Sequence, residues 1–149
     1  MDLFEGTDPI SIQLAVDSLV ARYADYCDTQ DWPALVGLFE PDGVFDTGEV
    51  FGQVMTGHEE LERFFRALAK PKAHHATSVY ITEISSEQVR SRMKMITFYT
   101  RWLFSIDYEW TLTRSHGPWR IATQKISQVA KVPLGADTTA IAGNVSSVS

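Results

Sequence analysis

The residues best suited to acid–base chemistry lie in a short segment near residue 25. Tyr23 and Asp28 stand at the carboxyl end of an otherwise apolar helix pattern that begins at Asp8-Pro9. A carboxylate there meets the negative end of the helix dipole, so a buried Asp28 needs a partner. The alternative is that Asp28 is solvated and Tyr23 is a core aromatic residue. Tyr26, in the same segment, is a further candidate for a catalytic phenol.

Two adjacent histidines supply the second candidate group. His74 and His75 open a strand pattern after a helix, and an imidazole exchanges protons near neutral pH. Strand alternation sends the two rings to opposite faces, so they cannot chelate one metal ion. Strict alternation places His75 on the face of Val79 and Ile81, and His74 on the other face. The alternative is that one histidine is exposed and the other is a hydrogen-bonded core residue.

Asp46 is a third candidate, because it alternates with Phe45 on the hairpin predicted between Val44 and Phe51, and one of the two side chains must point inward. Cys27 is the only cysteine, which leaves no disulfide and no cysteine-based zinc site, and we expect it to be a small buried thiol. The sequence contains no glycine-rich phosphate loop and no nucleophile elbow. It therefore predicts neither a cofactor nor a metal site.

Helix patterns come first along the chain and strand patterns follow. The predicted helices run from Pro9 to about Cys27, from Asp31, and from Thr56 to the Lys70-Pro71 stop, with a turn at Pro41-Asp42-Gly43. The predicted long strands start at His74, Val89, Trp102 and Trp119. This segregation predicts an α+β fold in which three N-terminal helices cover one face of a strongly curved, mostly antiparallel sheet. We expect one domain over residues 1–133 and a small-residue tail over 134–149 that is mobile or covers the pocket.

The composition excludes several classes of function. A net charge of −6 without a basic run argues against binding to nucleic acid. No apolar run is long enough to span a membrane, and no signal peptide is visible, so we expect a cytoplasmic protein. The aromatic content of 11% favours a deep core or an apolar pocket.

In these features the chain resembles the SnoaL-like group of the NTF2-like superfamily. Four stretches carry the resemblance: Tyr23–Trp32, Leu38–Asp46, Gly57–Leu61 with Phe64-Phe65, and His74-His75 with a closing Trp119-Arg120-Ile121. Their order and spacing are more specific to the fold than to any one activity. The resemblance implies a cone-shaped α+β barrel with an apolar pocket, assembled as a homo-oligomer, either a dimer or a trimer.

The resemblance also implies chemistry. The pattern is similar to scytalone dehydratase and the bile-acid 7α-dehydratase type, lyases that use a Tyr and an Asp at the end of the first helix and a His on the following strand. Residue by residue, these roles fall on Tyr23, Asp28 and His75, with His74 as the alternative to His75. Cys27 stands where scytalone dehydratase has a second tyrosine, and no histidine lies at 98–102 on the next strand.

We therefore expect a cofactor-independent acid–base enzyme, a dehydratase that removes water next to a carbonyl of a small apolar cyclic substrate. A related family, ketosteroid isomerase, uses an Asp base on the early hairpin and a Tyr on the first helix. Those roles would fall on Asp46 and on Tyr23 or Tyr26. A third alternative is a non-catalytic module that binds a small ligand or a partner protein.

Overall fold

Four helices and six strands make up residues 6–135, the part of the chain that the computed structural model describes. The helices are α1 (Pro9–Thr29), α2 (Trp32–Val36), α3 (Gly48–Phe51) and α4 (Gly57–Ala67). The strands are β1 (Phe39–Asp46), β2 (Val54–Thr56), β3 (Ala73–Ile84), β4 (Gln88–Phe98), β5 (Trp102–Thr113) and β6 (Arg120–Pro133). The predicted α+β class is confirmed. Most of the predicted tail, from residue 136 onward, lies outside the described residues.

Side-chain caps fix the ends of the first two helices. The carboxylate of Asp8 accepts hydrogen bonds from the backbone N–H groups of Ile10 and Ser11, which confirms the predicted start of α1. Gln30 ends that helix in the left-handed conformation, with φ of 59°. Asp31 caps α2 by accepting from the N–H of Ala34. The turn between the two helices therefore starts at Gln30, so Asp28 lies in the last turn of α1.

The six strands form one mixed sheet in the order β2-β1-β6-β5-β4-β3. All neighbours are antiparallel except β1 and β6, which are parallel. The expected turn at 41–43 is wrong, because these residues lie within β1, where the pairing register shifts between Phe39 and Val44. A Cβ atom at Gly43 would come within 3.0 Å of the Ile121 carbonyl oxygen, so this close strand approach requires glycine.

The connection after β1 also differs from the predicted hairpin. The short helix α3 stands where the bend near Gly48 was expected, and the chain then returns as β2, which pairs antiparallel with β1. The described residues therefore contain four helices and not three. Residue periodicity does not detect a helix of a single turn, because one turn does not repeat its apolar face.

A bulge in β3 changes which residues face the helices. Ser78 has a φ of 53°, and the β3–β4 register shifts between Thr77 and Tyr80. Ala76, Val79 and Ile81 all pack against the core, although strict alternation would put Ala76 on the opposite face from the other two. Because of the bulge, His74 and Ala76 before it lie on the same face of the sheet as Val79 and Ile81 after it.

The two faces of the sheet have different chemistry. The face toward the helices is apolar and carries Met93, Met95, Ile106 and Trp110, each buried. The other face carries cross-strand ion pairs, such as Lys94 Nζ to the Asp107 carboxylate at 2.8 Å. In residues 6–135, none of the helices is both long and apolar enough to cross a lipid bilayer.

Candidate active site

A cavity of about 380 Å³ lies between the sheet and the helices. Side chains from all four helices and from every strand except β2 line it. Its aromatic lining comprises Tyr23, Trp32, Phe45, Phe51, Phe65, Tyr99, Trp102, Phe104 and Tyr108, and its other polar lining residues include Gln30, His74, Thr97 and Gln128. A pocket of this size with a few polar groups in an apolar wall suits a small organic ligand.

Asp28 and His74 form the central polar contact of this site, named here the Asp28–His74 pair. The His74 Nδ1 atom lies 2.6 Å from Asp28 Oδ1, and the His74 backbone N–H donates to Asp28 Oδ2 at 3.1 Å. The side chains of His74 and Asp28 are 11% and 28% exposed. Because a carboxylate accepts hydrogen bonds, Nδ1 is the donor in this contact, and in the neutral imidazole Nε2 then carries the lone pair. The expected partner for Asp28 is thus present.

The histidine beside Asp28 is not the one expected from strict alternation. His75 lies on the opposite face of β3, is exposed, and meets Phe98 edge-on with ring centroids 5.4 Å apart. The reason is the bulge at Ser78. Alternation counted back from Val79 and Ile81 passes through the bulge and therefore assigns the two histidines to the wrong faces. The alternative residue, His74, lines the cavity instead.

The other two candidates from the sequence lie outside the lining of the cavity. Asp46 accepts a hydrogen bond from the Gly48 backbone N–H at 2.9 Å and so stabilises the turn into α3. Tyr26 is partly buried and packs against the core. Among the described residues, neither belongs to the cavity wall.

Tyr23 lines the cavity and is held by a chain of hydrogen bonds that the sequence did not indicate. Trp110 Nε1 donates to Gln124 Oε1 at 2.8 Å, and Gln124 Nε2 lies 2.9 Å from the Tyr23 hydroxyl oxygen. An indole N–H can only donate, so the Gln124 carbonyl must face Trp110 and its NH₂ group must face Tyr23. The Tyr23 oxygen therefore accepts, and its own proton is left to donate elsewhere.

Burial keeps the phenols and the thiol of the cavity protonated. Desolvation raises the pKa of Tyr23, and the nearby Tyr108 raises it further, while the hydrogen bond from Gln124 opposes both. Desolvation is likewise the main reason that the pKa values of Tyr108 and Cys27 are raised. A protonated phenol donates hydrogen bonds, whereas a protonated thiol is a poor nucleophile. The prediction that Cys27 is a buried thiol is confirmed.

Thr97, Tyr108 and Gln124 are the site residues that the sequence analysis missed. Tyr108 stands on the aromatic face of β5, so alternation along that strand could have identified it. Thr97 continues the Met93 and Met95 face of β4, where a hydroxyl interrupts an apolar series. Within the described part of the chain, no three His, Cys, Asp or Glu side chains gather in a metal-binding arrangement.

The charged residues that line the cavity are all positive. Arg66 and Lys70 belong to the lining, and no Asp or Glu of the described residues does. Arg66 is paired with Glu62 at 2.6 Å, so Lys70 is the more available cation. Together with the Asp28–His74 pair and Tyr23, these groups can move a proton and stabilise negative charge on a bound molecule.

Comparison with known proteins agrees with this architecture. Many solved structures share the fold, and the three described next are each under 25% identical to this chain. A candidate aromatic ring hydroxylase from Novosphingobium aromaticivorans is 21% identical over 85% of this chain and 96% of its own, with a TM-score of 0.74. A candidate scytalone dehydratase from the same species is 17% identical over 86% and 91%, with a TM-score of 0.68. A hexachlorocyclohexane dehydrochlorinase, LinA-type3 from Novosphingobium barchaimii, is 14% identical over 86% and 93%, with a TM-score of 0.76.

The family assignment rests on the sequence match. No curated protein matches the chain. The model of the SnoaL-like domain matches residues 9–125, which span α1 to the middle of β6. The chain therefore belongs to the SnoaL-like domain family, within the NTF2-like superfamily.

Proposed function

We propose that this protein is a cofactor-independent lyase, a dehydratase that removes water next to a carbonyl of a small, mostly apolar cyclic substrate. The observation that carries the proposal is the Asp28–His74 pair: His74 lines an aromatic cavity, and its Nδ1 atom lies 2.6 Å from the Asp28 carboxylate. The carboxylate on Nδ1 orients the ring and stabilises its protonated form, and the cavity beside the ring offers room for a ligand. This arrangement supplies a general base whose Nε2 is available to a ligand.

The proposed reaction begins with proton transfer to His74. Nε2 removes a proton from the carbon next to the substrate carbonyl, and Asp28 stabilises the resulting imidazolium. The C–H electron pair forms an enolate and then a carbon–carbon double bond as the carbon–oxygen bond breaks. The departing oxygen takes the proton back from Nε2 and leaves as water. The carbonyl group of the substrate accepts the electrons, so the balance needs no oxidant or reductant.

Tyr23 is the proposed source of stabilisation for the enolate oxygen. Because Gln124 donates to the Tyr23 oxygen, the Tyr23 proton is left for another acceptor, and Tyr23 and its neighbour Tyr108 both line the cavity. Hydrogen bonds to developing negative charge are strong where water is excluded. Arg66 and Lys70 in the lining favour a neutral or anionic substrate over a cationic one.

The fold relatives support elimination chemistry. A candidate dehydratase and a dehydrochlorinase share this architecture, and both names describe the removal of a small molecule from a substrate. At identities of 17% and 14%, the substrates of these relatives do not transfer to this chain, and its substrate must be found by experiment. Assembly as a homo-oligomer and a cytoplasmic location remain part of the proposal.

The test compares the two adjacent histidines. We expect His74→Gln to lower kcat by about 10²–10⁴ on a cyclic β-hydroxy ketone, because it removes the general base. The absorbance of the conjugated ketone product measures turnover. His75→Gln is the matched control, since it changes the same residue type one position away on the exposed face, and it should stay within about twofold of the parent. We expect Asp28→Asn to lower kcat as well, as His74→Gln does.

Two results would contradict the dehydratase. Equal losses in the two histidine variants would show that neither ring acts as the base. A ligand that quenches tryptophan fluorescence equally in the parent and in His74→Gln, with no turnover in either, would indicate a binding module. Selective loss of an isomerase activity in Asp46→Asn would support the ketosteroid-isomerase alternative, although Asp46 is engaged with Gly48.

A further inference from the structure

Thr97 carries a buried hydroxyl that has no partner. The residue is 3% exposed, and its Oγ1 atom makes no hydrogen bond within the described residues. Buried polar groups are nearly always hydrogen-bonded, because an unpartnered one destabilises the fold. Thr97 also lines the cavity, so its hydroxyl lies where a bound molecule could supply the missing partner.

Thr97 lies close to His74, the proposed general base. Thr97 is the cross-strand partner of His74 in the β3–β4 pairing. Side chains of directly opposed residues on one face have Cβ atoms about 4.5–5.5 Å apart. A single oxygen atom of a substrate can therefore contact both the imidazole of His74 and the hydroxyl of Thr97.

We propose that Thr97 binds the oxygen that leaves as water and so makes the site selective for a hydroxyl leaving group. This inference rests on the proposed dehydratase function. The Thr97 hydroxyl donates a hydrogen bond to the leaving oxygen while that oxygen takes a proton from His74 Nε2. A hydroxyl leaving group can also donate back to Oγ1, whereas a chlorine can do neither well.

The inference predicts a loss that depends on the leaving group. Thr97→Val keeps the shape of the side chain and removes the hydroxyl. We expect kcat/KM to fall about tenfold for a β-hydroxy ketone, the size of one lost hydrogen bond, and to stay within about twofold for the matching β-chloro ketone. The melting temperature should be unchanged or higher, because an unpartnered buried hydroxyl is removed. Thr97→Ser should restore the hydroxy-ketone activity.

Ser91 provides a matched control on the same strand. It is 1% exposed, and its Oγ atom likewise lacks a partner in the described residues, but it lies outside the cavity lining. Ser91→Ala should leave both activities unchanged. Unchanged hydroxy-ketone activity in Thr97→Val would overturn the inference, and so would equal losses on both substrates, which would indicate altered packing. Neither result would affect the dehydratase itself.

A binding measurement separates this inference from the proposed function. If the parent converts no hydroxy ketone, the dehydratase proposal fails, and the role of Thr97 is then measured by ligand affinity. The probes are a cyclic β-hydroxy ketone and the ketone that lacks the hydroxyl. We expect Thr97→Val to abolish any preference of the parent for the hydroxylated compound. If the parent has no such preference, or if Thr97→Val retains it, the inference is overturned.

Discussion

At the scale of single residues, the indole of Trp110 sets the direction of the hydrogen bonds that reach the cavity. It can only donate, so Gln124 must donate to Tyr23. We predict that Gln124→Leu lowers the free energy of unfolding by about 1–3 kcal/mol, because it leaves buried polar groups on Trp110 and Tyr23 without a partner. It should also lower kcat, because Tyr23 loses its orientation. Urea denaturation and steady-state kinetics measure the two effects.

Combining this substitution with Tyr23→Phe tests whether Gln124 acts through the phenol. If it does, the double variant Tyr23→Phe/Gln124→Leu should have the same kcat as Tyr23→Phe alone, because residues in one network are not additive. A further drop in kcat, equal to that of the single Gln124 variant, would show that Gln124 affects turnover by another route.

At the scale of elements, the bulge in β3 decides which histidine faces the cavity. Ser78 holds a left-handed backbone, with φ of 53°, that suits glycine and strains a β-branched residue. We predict that Ser78→Val lowers the free energy of unfolding by about 1–2 kcal/mol, whereas Ser78→Gly leaves it equal or higher. Thermal or urea unfolding measures both. Thr77→Val is the control at a neighbouring exposed position, and an equal loss there would refute a backbone origin.

At the scale of the whole molecule, Glu40 joins β1 to the turn between β5 and β6. Its buried carboxylate accepts hydrogen bonds from Thr113 Oγ1 at 2.8 Å and the Ser115 N–H at 3.1 Å, and lies 2.9 Å from His116 Nδ1. Burial alone would raise the pKa of Glu40, but the hydrogen bonds from His116, Thr113 and Ser115 outweigh burial and lower it below 4.5. A carboxyl with a lowered pKa stabilises the fold above its ordinary pKa, and this contribution is lost as the pH falls through the lowered value.

Glu40→Gln tests this contribution. We predict that it lowers the free energy of unfolding by about 1.5–3 kcal/mol at pH 7, the range for hydrogen bonds to a charged group. The difference from the parent should shrink as the pH falls below 4.5, where the carboxylate of the parent begins to take up protons. Chemical denaturation at several pH values measures it. Glu87→Gln, at an exposed position, is the control, and a pH-independent difference for Glu40→Gln would contradict the assignment.

The elements of the fold were largely predictable because they depend on neighbours in sequence. The helix starts at Asp8-Pro9 and Asp31 and the strand that begins at Trp102 follow from local hydrogen bonding or side-chain period, and all three were confirmed. The parallel pairing of β1 with β6 was not predicted, because it joins segments about eighty residues apart through backbone contacts that leave no local pattern. The turn wrongly expected at 41–43 has the same origin, since a strand partner overrides local turn propensity.

The sequence by itself indicated the kind of chemistry that we propose, and the tertiary structure decided which side chains stand together for it. A carboxylate at a helix end and a histidine at a strand start already predicted a charge-stabilised base. The choice of His74 over His75 depends on a backbone twist at Ser78, four residues beyond His74, which reverses the side-chain alternation. The roles proposed for Thr97 and Gln124 likewise depend on cross-strand pairing and burial, because a hydroxyl or an amide acquires a function only from the groups packed around it.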